Sequence, residues 1–436
     1  MKFREFIQRL DEEGELIRIK KEVSPILEMA NILNSLDERP TLFERVKGSD
    51  FRVVGGLVSS KELVAKALGV ERKDLLEKIV KAIDNLELPR IVEDGECQEV
   101  VEKNVDLTKL PIMKFMEKDG GRYITSAICI VKDPELKTRN VCFHRLMLLD
   151  KRRFVARIVE ERGTDTALKK AGGELDIAIC IGNSTAVLLA AATSLPHGVD
   201  EFSLANALDK VELVKCKTVD LEVPKDCEFV LEGRITKERA PEGPFLDLTG
   251  TRDKVREQPV IEIKCITHRK DAIFQTLLAG GREHRTLMGM PREPTIYREV
   301  NKVCECVDVC LTYGGCNWLH AVIKIKKRKP DDGRKAIEAA FKGHSSLKHC
   351  VVVDEDIDIC NPHDVEWAIA TRFQGDKDLI IMPNQKGSSL DPSADLTTGK
   401  KARTCKLGLD ATIPWGKKDK PFKRESYKKV NIEDYL

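Results

Sequence analysis

The feature that most constrains the fold is a long run of strand-like segments between residues 106 and 299. Apolar and β-branched segments follow one another there, separated by turn-forming residues. Helical patterns interrupt the run only at 164–171 and 201–207. Successive strands with few helices between them must pair with one another, which favours a barrel or another closed sheet. The predicted strands are residues 124–131, 140–149, 154–159, 175–181, 227–235 and 260–267.

The regions on either side of this run have a different pattern. Residues 1–105 alternate helical segments with short strands, and from residue 300 strands alternate with helices, as in an open α/β sheet. A chain of 436 residues is also too long for one typical domain. We therefore predict an α/β (α+β) protein with an N-terminal α/β lobe (1–105), a central closed-sheet domain (106–299) and a C-terminal α/β domain with an open sheet (300–436). The lysine-rich segment 416–429 is predicted to be a solvated tail or an arm exchanged between protomers.

Composition excludes several classes of protein. The 74 basic residues nearly cancel the 72 acidic ones, so the chain lacks the basic field of a nucleic-acid binder. The longest weakly polar run, 185–195, is shorter than the roughly 20 residues that cross a bilayer. The charged start of the chain predicts an amphipathic helix and not an export signal, so we expect a cytoplasmic protein. Its 14 cysteines lack the spacing of a disulfide scaffold.

Two carboxylates lie five residues apart in the segment 240–250. Glu242 and Asp247 are surrounded by two prolines and two glycines, which we expect to keep the segment out of regular structure. A carboxyl group whose pKa is moved toward the working pH can act as a general acid or base. The segment therefore indicates proton chemistry, although the same residue types also form ordinary turns between strands.

Polar side chains on the predicted strands form a second group of candidates. Asn140, His144 and Arg145 combine an amide oxygen, an imidazole and a guanidinium, which suit a hard metal ion and an anion. On a regular strand Asn140 and Arg145 would point to opposite faces, so a shared site requires a bulge or a strong curl. Arg157 and Arg162 precede a predicted helix start, where arginines and backbone N–H groups favour phosphate binding.

Together these segments resemble the UbiD family of prenylated-flavin-dependent decarboxylases over nearly the whole chain. Residues 140–145 are similar to the family's Asn-x-x-hydrophobic-aromatic-Arg pattern, and 157–163 to its Arg-x-x-x-x-Arg-Gly pattern. Residues 242–250 are similar to its catalytic loop. Segments 352–357, 364–372 and 407–412 are also typical of the family.

The resemblance implies a cofactor and a metal. Prenylated FMN would sit on a split β-barrel in the central domain, its phosphate held through Mn²⁺ or Mg²⁺ and often K⁺. Asn140 and Glu201 would be the metal ligands, although Glu201 alone indicates only a helix-dipole contact. Some members have a histidine near the metal where this chain has residues 160–162. The implied cofactor-binding residues are Phe143, His144, Arg145, Arg157, Ile158, Val159, Arg162 and Gly163.

The resemblance also implies a catalytic network of Arg145, Glu242 and Asp247. Arg145 would keep Glu242 ionised, and Asp247 would protonate the carbon from which CO2 leaves an α,β-unsaturated acid. Some members have glutamate at the position of Asp247. A flavin prenyltransferase would supply the cofactor, and the family's habit implies a homo-oligomer, either a dimer or a hexamer.

The leading substrate prediction is trans-anhydromevalonate 5-phosphate, which an archaeal branch of the family converts to isopentenyl phosphate in a modified mevalonate pathway. Arg282, His284 and Arg285 stand where quinone-pathway members often have Gly-Arg-Pro-Pro, and they could hold a substrate phosphate or be solvated loop residues. An alternative is a 4-hydroxybenzoate-type or other aromatic acid decarboxylase. A non-catalytic flavin-binding protein is the alternative from another class, which the complete network of acidic and basic residues disfavours.

Overall fold

The computed structural model describes residues 1–397, 402–417, 420–422, 424–425, 427–428 and 430–435. The chain divides into two compact units, Met1–Pro294 and Thr295–Leu436, of which the first is described throughout. Helices and strands are mixed in both units, which confirms the predicted α/β class. The predicted boundary near residue 105 falls inside the first unit and stays a prediction.

The first unit contains most of the strands. Its helices are α1 (Phe3–Glu12), α2 (Glu28–Ser35), α3 (Lys61–Ala67), α4 (Leu75–Asp84), α5 (Gly163–Lys170), α6 (Thr185–Ala192), α7 (Glu201–Leu208) and α8 (Arg282–Gly289). Its strands are β1 (Ile17–Ile19), β2 (Thr41–Phe43), β3 (Arg52–Gly55), β4 (Arg90–Val92), β5 (Val100–Glu102), β6 (Tyr123–Ile124), β7 (Ile128–Lys132), β8 (Arg139–Phe143), β9 (Leu146–Leu148), β10 (Arg153–Ala156), β11 (Leu175–Ile181), β12 (Glu212–Lys215), β13 (Glu222–Pro224), β14 (Phe229–Glu242), β15 (Phe245–Leu246), β16 (Arg252–Asp253), β17 (Arg256–His268) and β18 (Ile273–Gln275).

The two ends of the large sheet of this unit meet at residues 144 and 145. The strands run in the order β6-β9-β10-β17-β14-β11-β7-β8, with β5 also paired to β17. Strand β8 is one edge and β9 lies beside the other, yet only His144 and Arg145 connect them. A connection this short spans about 10 Å. The sheet must therefore curl until its ends are close, in agreement with the predicted split barrel.

Backbone hydrogen bonds at this connection show the same closure. The N–H of His144 donates to the carbonyl of Ala127 (3.4 Å), just before β7. The carbonyl of the next residue, Arg145, accepts from the N–H of Arg157 (3.1 Å), just after β10. Consecutive residues thus bind to opposite ends of the sheet, and we call residues 144–145 the seam.

Each face of the large sheet carries a hydrophobic core, although residues 237–239 of β14 and Glu262 and Lys264 of β17 are exposed. Alternate residues of β11 belong to different cores: Ile177, Ile179 and Ile181 pack inside the curled sheet. Ala178 and Cys180 pack on the other face, in a core that also contains the buried residues of α6 and α7. The sheet is consequently held in shape by packing on both sides.

Smaller sheets complete the first unit. Strands β1-β2-β3-β18 form one of them, in which β18 pairs in parallel with β3. Strands β13-β12-β4 form another, and β15 pairs with β16 as a short hairpin. Because β18 comes from the central region and β1 to β3 from the N-terminal region, the two regions share a sheet.

The described part of the second unit contains an open five-stranded sheet, as predicted. Its strand order is β19-β20-β21-β23-β22. The elements are β19 (Glu305–Leu311), β20 (His320–Lys326), α10 (Asp332–Gly343), β21 (His349–Val353), α11 (Pro362–Arg372), β22 (Leu379–Lys386) and β23 (Arg403–Asp410), and α9 (Glu293–Asn301) crosses the boundary between the units. Five residues of the predicted tail (418, 419, 423, 426 and 429) lie outside the described residues, whereas Arg424 donates to Asp364 of α11 (2.7 Å). No helix in the described ranges is long and apolar enough to span a membrane.

Several predicted elements are corrected by the structure. The predicted strand 140–149 is two strands, because the chain changes pairing partners at the seam. The predicted strand 124–131 is likewise divided into β6 and β7. The segment 240–250 is not wholly irregular, since β14 continues through Pro241 to Glu242 and residues 245–246 form β15.

Gly233 of β14 offers a test of the close strand packing. A Cβ atom at this position would lie 2.2 Å from the carbonyl oxygen of Glu262 on β17, beside a shift in strand register. We expect Gly233→Ala to lower the free energy of unfolding by about 1–3 kcal/mol, because the backbone of β14 or β17 must move to make room for the methyl group. The measurement is the thermal unfolding midpoint. Gly314→Ala is the control, since a Cβ there meets no atom within 4 Å; equal midpoints for both variants would contradict the argument.

Candidate active site

Arg145, at the seam, is the centre of a cluster of acidic side chains. Its Nε and Nη2 atoms donate to the two carboxylate oxygens of Glu242 at 2.8 and 2.9 Å, a bidentate pair. Nη2 also donates to Oδ2 of Asp253 at 2.8 Å, and Nη1 lies 3.7 Å from Oδ2 of Asp247. The structure thus brings Arg145, Glu242 and Asp247 together, and their catalytic roles stay predictions.

The Arg145–Glu242 pair is withdrawn from water. The Glu242 side chain is fully buried and that of Arg145 is 13% exposed. The guanidinium also lies over the ring of Phe245, 4.8 Å from its centroid. Burial alone would lower the pKa of Arg145, but the hydrogen bonds and charges of Glu242 and Asp253 raise it above its usual range. Arg145 is therefore a fixed positive charge in a low-dielectric setting.

The hairpin β15–β16 carries Asp247 at its turn. The backbone N–H of Asp247 donates to the carbonyl of Thr251 (3.0 Å), and the N–H of Gly250 donates back to the carbonyl of Asp247 (2.9 Å). Gly250 has a φ of +74°, the left-handed conformation that glycine adopts readily. The N–H of Leu248 donates to Oδ1 of Asp247 (2.7 Å), which leaves Oδ2 toward Arg145. Backbone contacts therefore fix the orientation of this carboxyl group.

Sequence reasoning missed two side chains of this cluster. Asp253 lies at the return of the hairpin, and a hairpin pattern between 245 and 253 was the available signal. Burial alone would raise the pKa of Asp253, but hydrogen bonds from Arg256 and Arg145 lower it. Tyr123 of β6 is the second: burial, and then the charge of Glu242, raise the pKa of its phenol. Among the described residues its hydroxyl has no hydrogen-bond partner.

The two predicted metal ligands lie close together: Asn140 is part of β8, and Glu201 contacts the next residue of that strand. The side-chain nitrogen of Asn140 donates to Oγ1 of Thr164 (3.1 Å), and a Cβ on Gly163 would lie 1.8 Å from the amide oxygen of Asn140. Only glycine at position 163 lets the α5 backbone approach so closely. Glu201, the first residue of α7, accepts a hydrogen bond from the N–H of Val141 (2.8 Å). Burial raises the pKa of Glu201 to about 8.

These two oxygen donors do not form a complete metal site by themselves. The described residues contain no group of three or more His, Cys, Asp or Glu side chains that could hold a metal ion. A cation bound here would take its other ligands from a bound molecule or from water, as Mg²⁺ and Mn²⁺ commonly do with phosphate groups.

The residues predicted to contact the cofactor surround the seam. His144 is bound on both ring nitrogens, to the carbonyl of Arg157 (3.1 Å) and to Oγ1 of Thr164 (3.0 Å), and burial lowers its pKa to about 4. Arg157 pairs with Glu160 (3.2 Å). The remaining predicted residues differ in exposure: Phe143 is half-buried on β8, Ile158 is buried, Val159 is exposed, and Arg162 and Gly163 start α5.

The predicted substrate residues lie on α8, not on a loop. Arg285 reaches the hairpin, where its Nε donates to the carbonyl of Leu248 (2.9 Å). His284 accepts a hydrogen bond at Nδ1 from the N–H of Gly280 (3.1 Å), and burial lowers its pKa. Arg282 instead pairs with Asp37 (2.7 Å). The structure therefore separates Arg282 from the other two.

Buried carboxylates anchor α8 to the N-terminal region. Glu38 accepts hydrogen bonds from the N–H groups of Arg282 and Glu283, and Glu283 accepts from those of Gly56 (2.8 Å) and Val58 (3.1 Å). Burial, and then the charge of Glu38, raise the pKa of Glu283 to about 8. The position of α8 relative to the hairpin thus depends on residues far away in the sequence.

Comparisons with known proteins show which family has this arrangement. Models of the N-terminal, Rift-related and C-terminal domains of 3-octaprenyl-4-hydroxybenzoate carboxy-lyase, the three UbiD domains, match residues 7–83, 90–282 and 285–411. The anhydromevalonate phosphate decarboxylase of Methanosarcina mazei is 45% identical over 94% of this chain and 96% of its own length. The chain belongs to the UbiD family. The anhydromevalonate phosphate decarboxylase of Methanothermobacter thermautotrophicus is 42% identical over 97% of this chain and 99% of its own length.

Solved UbiD structures share the fold. The UbiD-class enzyme HmfF from Pelotomaculum thermopropionicum, in complex with FMN, has a TM-score of 0.95 and 39% identity, with all of both chains covered. An evolved dimeric form of HmfF in complex with prFMN has a TM-score of 0.91 and 38% identity, again over both chains in full. The 3,4-dihydroxybenzoic acid decarboxylase of Klebsiella pneumoniae has a TM-score of 0.90 and 26% identity over 100% of this chain and 98% of its own. The predicted membership of this decarboxylase family is confirmed.

The buried pair at the seam can be tested through stability. Arg145→Met leaves the buried Glu242 carboxylate without its partner, so we expect a loss of about 3–5 kcal/mol. Replacing both residues, as Arg145→Met with Glu242→Leu, should recover much of that loss because the fully buried carboxylate is removed and Asp253 keeps its pairing with Arg256. Denaturant unfolding measures both effects.

Arg153→Met is the matched control for this cycle. Arg153 pairs with Asp150 and Glu238 at the surface, where its side chain is 39% exposed, so we expect little or no change in the free energy of unfolding. A single Arg145→Met variant as stable as this control would contradict the inferred cost of the buried carboxylate.

Proposed function

We propose that this chain is a prenylated-FMN-dependent decarboxylase that converts trans-anhydromevalonate 5-phosphate to isopentenyl phosphate and CO2. The observation that carries the proposal is the 45% identity to a named anhydromevalonate phosphate decarboxylase over nearly the full length of both proteins. The buried cluster around Arg145 supports it, because decarboxylation with a final protonation needs a fixed cation and a carboxyl group near the reacting carbon. Loss of CO2 from this six-carbon acid leaves a five-carbon isoprenoid phosphate.

The residues around Asn140 and the start of α5 fit a flavin whose phosphate is held through a divalent cation. Asn140 and Glu201 supply oxygen atoms, the ligands that Mn²⁺ and Mg²⁺ prefer. Burial raises the pKa of Glu201, and the described residues form no ion pair with it, so a bound cation would stabilise its charged form. Arg162 and the start of α5 suit the phosphate. K⁺ is proposed as a further cation.

The chain's own residues would divide the chemistry between them. Prenylated FMN, when bound, supplies the electron-accepting group that decarboxylation requires. Arg145 holds Glu242 in place through the bidentate pair and supplies a fixed positive charge. Asp247, fixed by the hairpin backbone with Oδ2 toward the cluster, donates the proton to the carbon that has lost CO2. Tyr123 and Phe245 keep water away from the Arg145 side of the cluster.

The phosphate end of the substrate would be held from α8. Arg285 faces the hairpin that carries Asp247, and a guanidinium is well suited to phosphate oxygens. Because Nδ1 of His284 accepts a hydrogen bond, the neutral ring carries its proton on Nε2 and can donate it to a phosphate. Arg282 is the weaker candidate, since Asp37 already balances its charge.

The remaining proposals concern the setting of the enzyme. A flavin prenyltransferase would supply the cofactor, and the enzyme would act in the cytoplasm. We also propose a homo-oligomer, a dimer or a hexamer, assembled through the second unit.

The first test of the function is substrate turnover. Cofactor-loaded protein is incubated separately with trans-anhydromevalonate 5-phosphate, 4-hydroxybenzoate and a cinnamate-type acid, and CO2 release is measured for wild type and Asp247→Asn. We expect turnover of the phosphate ester alone, lost in the variant because the proton donor is removed. Turnover of an aromatic acid alone would replace the proposed substrate, and no turnover with a fully loaded flavin would favour a non-catalytic flavin protein.

A second test separates the two arginines of α8. Arg285→Ala should raise KM for the phosphorylated substrate by roughly 10- to 150-fold, the effect of losing a hydrogen bond to a charged group. Arg282→Ala, the matched control on the same helix, should change KM much less because Arg282 is paired with Asp37. If Arg282→Ala has the larger effect, or neither variant changes KM, α8 does not bind the phosphate as proposed.

A further inference from the structure

Asp253 occupies a position in the cluster that the proposed chemistry does not yet use. Its Oδ2 accepts a hydrogen bond from Nη2 of Arg145 (2.8 Å), and its Oδ1 pairs with Nη1 of Arg256 (2.8 Å). Asp253 is therefore held between two guanidinium groups, at the return of the hairpin whose turn carries Asp247. Only 15% of its side chain is exposed, so water does little to weaken these contacts.

The hydrogen bonds of Arg145 are distributed unequally among its three acidic neighbours. All its short hydrogen bonds to described residues go to Glu242 and Asp253. Asp247 is left 3.7 Å from Nη1, beyond hydrogen-bond distance. The carboxyl group of Asp247 is thus close to the guanidinium of Arg145, whose short hydrogen bonds go to Glu242 and Asp253.

The pairing of the charged groups points the same way. Of the guanidinium groups around the hairpin, Arg145 and Arg256 are held by Glu242 and Asp253, and Arg285 donates to the carbonyl of Leu248. A carboxyl group that a cation binds directly gives up its proton more readily than one without such a contact. Asp247 is the acid of this cluster to which Arg145 donates no short hydrogen bond.

We propose that Asp253 is a positioning residue that takes up the remaining charge of Arg145 and so lets Asp247 carry the proton used in the reaction. The inference rests on the proposed function for the role of that proton. It concerns how this chain prepares its acid, and it identifies a residue outside the predicted network.

Other charged groups also face Asp247, and they limit how the test is designed. Arg285 of α8 contacts the hairpin at Leu248, and His284 of the same helix is close enough for the charge of Asp247 to affect its pKa. Neither group is changed by the variants below, so a shift between variants reports on the contacts that Asp253 makes with Arg145 and Arg256.

Two substitutions with opposite expected effects test the proposal. Asp253→Asn frees the charge of Arg145 for Asp247, which then loses its proton at lower pH, so the alkaline fall of kcat should move down by about one pH unit. Arg256→Gln leaves Asp253 and Asp247 to share Arg145, so the same fall should move up. KM should change little in either variant. General damage to the site would lower kcat in both without opposite shifts, and that result would overturn the proposal.

A second readout does not depend on turnover. Isotope-edited infrared titration of the full-length, cofactor-free protein with ¹³C-labelled aspartate follows the protonated carboxyl signal, and the part lost in Asp247→Asn belongs to Asp247. That part should titrate at lower pH in Asp253→Asn and at higher pH in Arg256→Gln. Glu257→Gln is the control, because it removes one negative charge from an exposed side chain of β17.

The two measurements separate failure of the inference from failure of the function. An Asp247 signal that titrates identically in wild type and Asp253→Asn overturns the inference, whatever the enzyme turns over. A wild-type enzyme that releases no CO2 from any substrate overturns the proposed function, and the infrared shifts still decide the role of Asp253.

Discussion

The bidentate pair between Arg145 and Glu242 is the interaction on which the site depends. It joins the seam, where the sheet closes, to the end of β14, which runs through the middle of the sheet. Two charges buried in this way cost desolvation energy, and apolar residues of similar volume would stabilise the fold at least as well. The presence of the Arg145–Glu242 pair is therefore better explained by a role in the site than by a gain in stability. The pair also places the hairpin, because β15 begins three residues after Glu242 and its return at Asp253 comes back to the same guanidinium.

The strand pattern and the spacing of polar residues predicted a large part of this architecture. Strand β11 has the bounds that its apolar pattern predicted, since a strand buried on both faces is mostly apolar and Asp176 is the one charged residue among its seven. The distance between Asn140 and Arg145 required a distortion of the strand, and the structure has a break there. The sequence could not show what causes the break. At this point the chain passes from β8, which pairs with β7, to β9, which pairs with β10. Such pairing between distant segments follows from closure of the whole sheet.

The parts that sequence reasoning missed depend on contacts between distant residues. Tyr123 comes more than one hundred positions before Glu242 in the chain, yet it lies close enough for the charge of Glu242 to raise the pKa of its phenol. In the sequence, nothing distinguishes Asp253 from the many acidic residues of the surface. In the structure, the hairpin β15–β16 places it beside Arg145. The residues 282–289 carry no strong helical pattern, and their helix is anchored by Glu38 and Glu283 through backbone N–H groups. Local propensity does not encode any of these three arrangements.

The residues proposed for bond breaking and those proposed for recognition lie on different parts of the fold. Arg145, Glu242 and the hairpin are attached to the large sheet, at the seam and at the end of β14. Helix α8 lies on the other side of the hairpin and is attached to the N-terminal region through buried carboxylates. A change of substrate could therefore arise from substitutions on α8 while the charge pattern around Arg145 is kept. Under the proposed function, relatives with different named substrates can share one fold, because the proposed chemistry uses the residues around Arg145 and the proposed recognition uses α8.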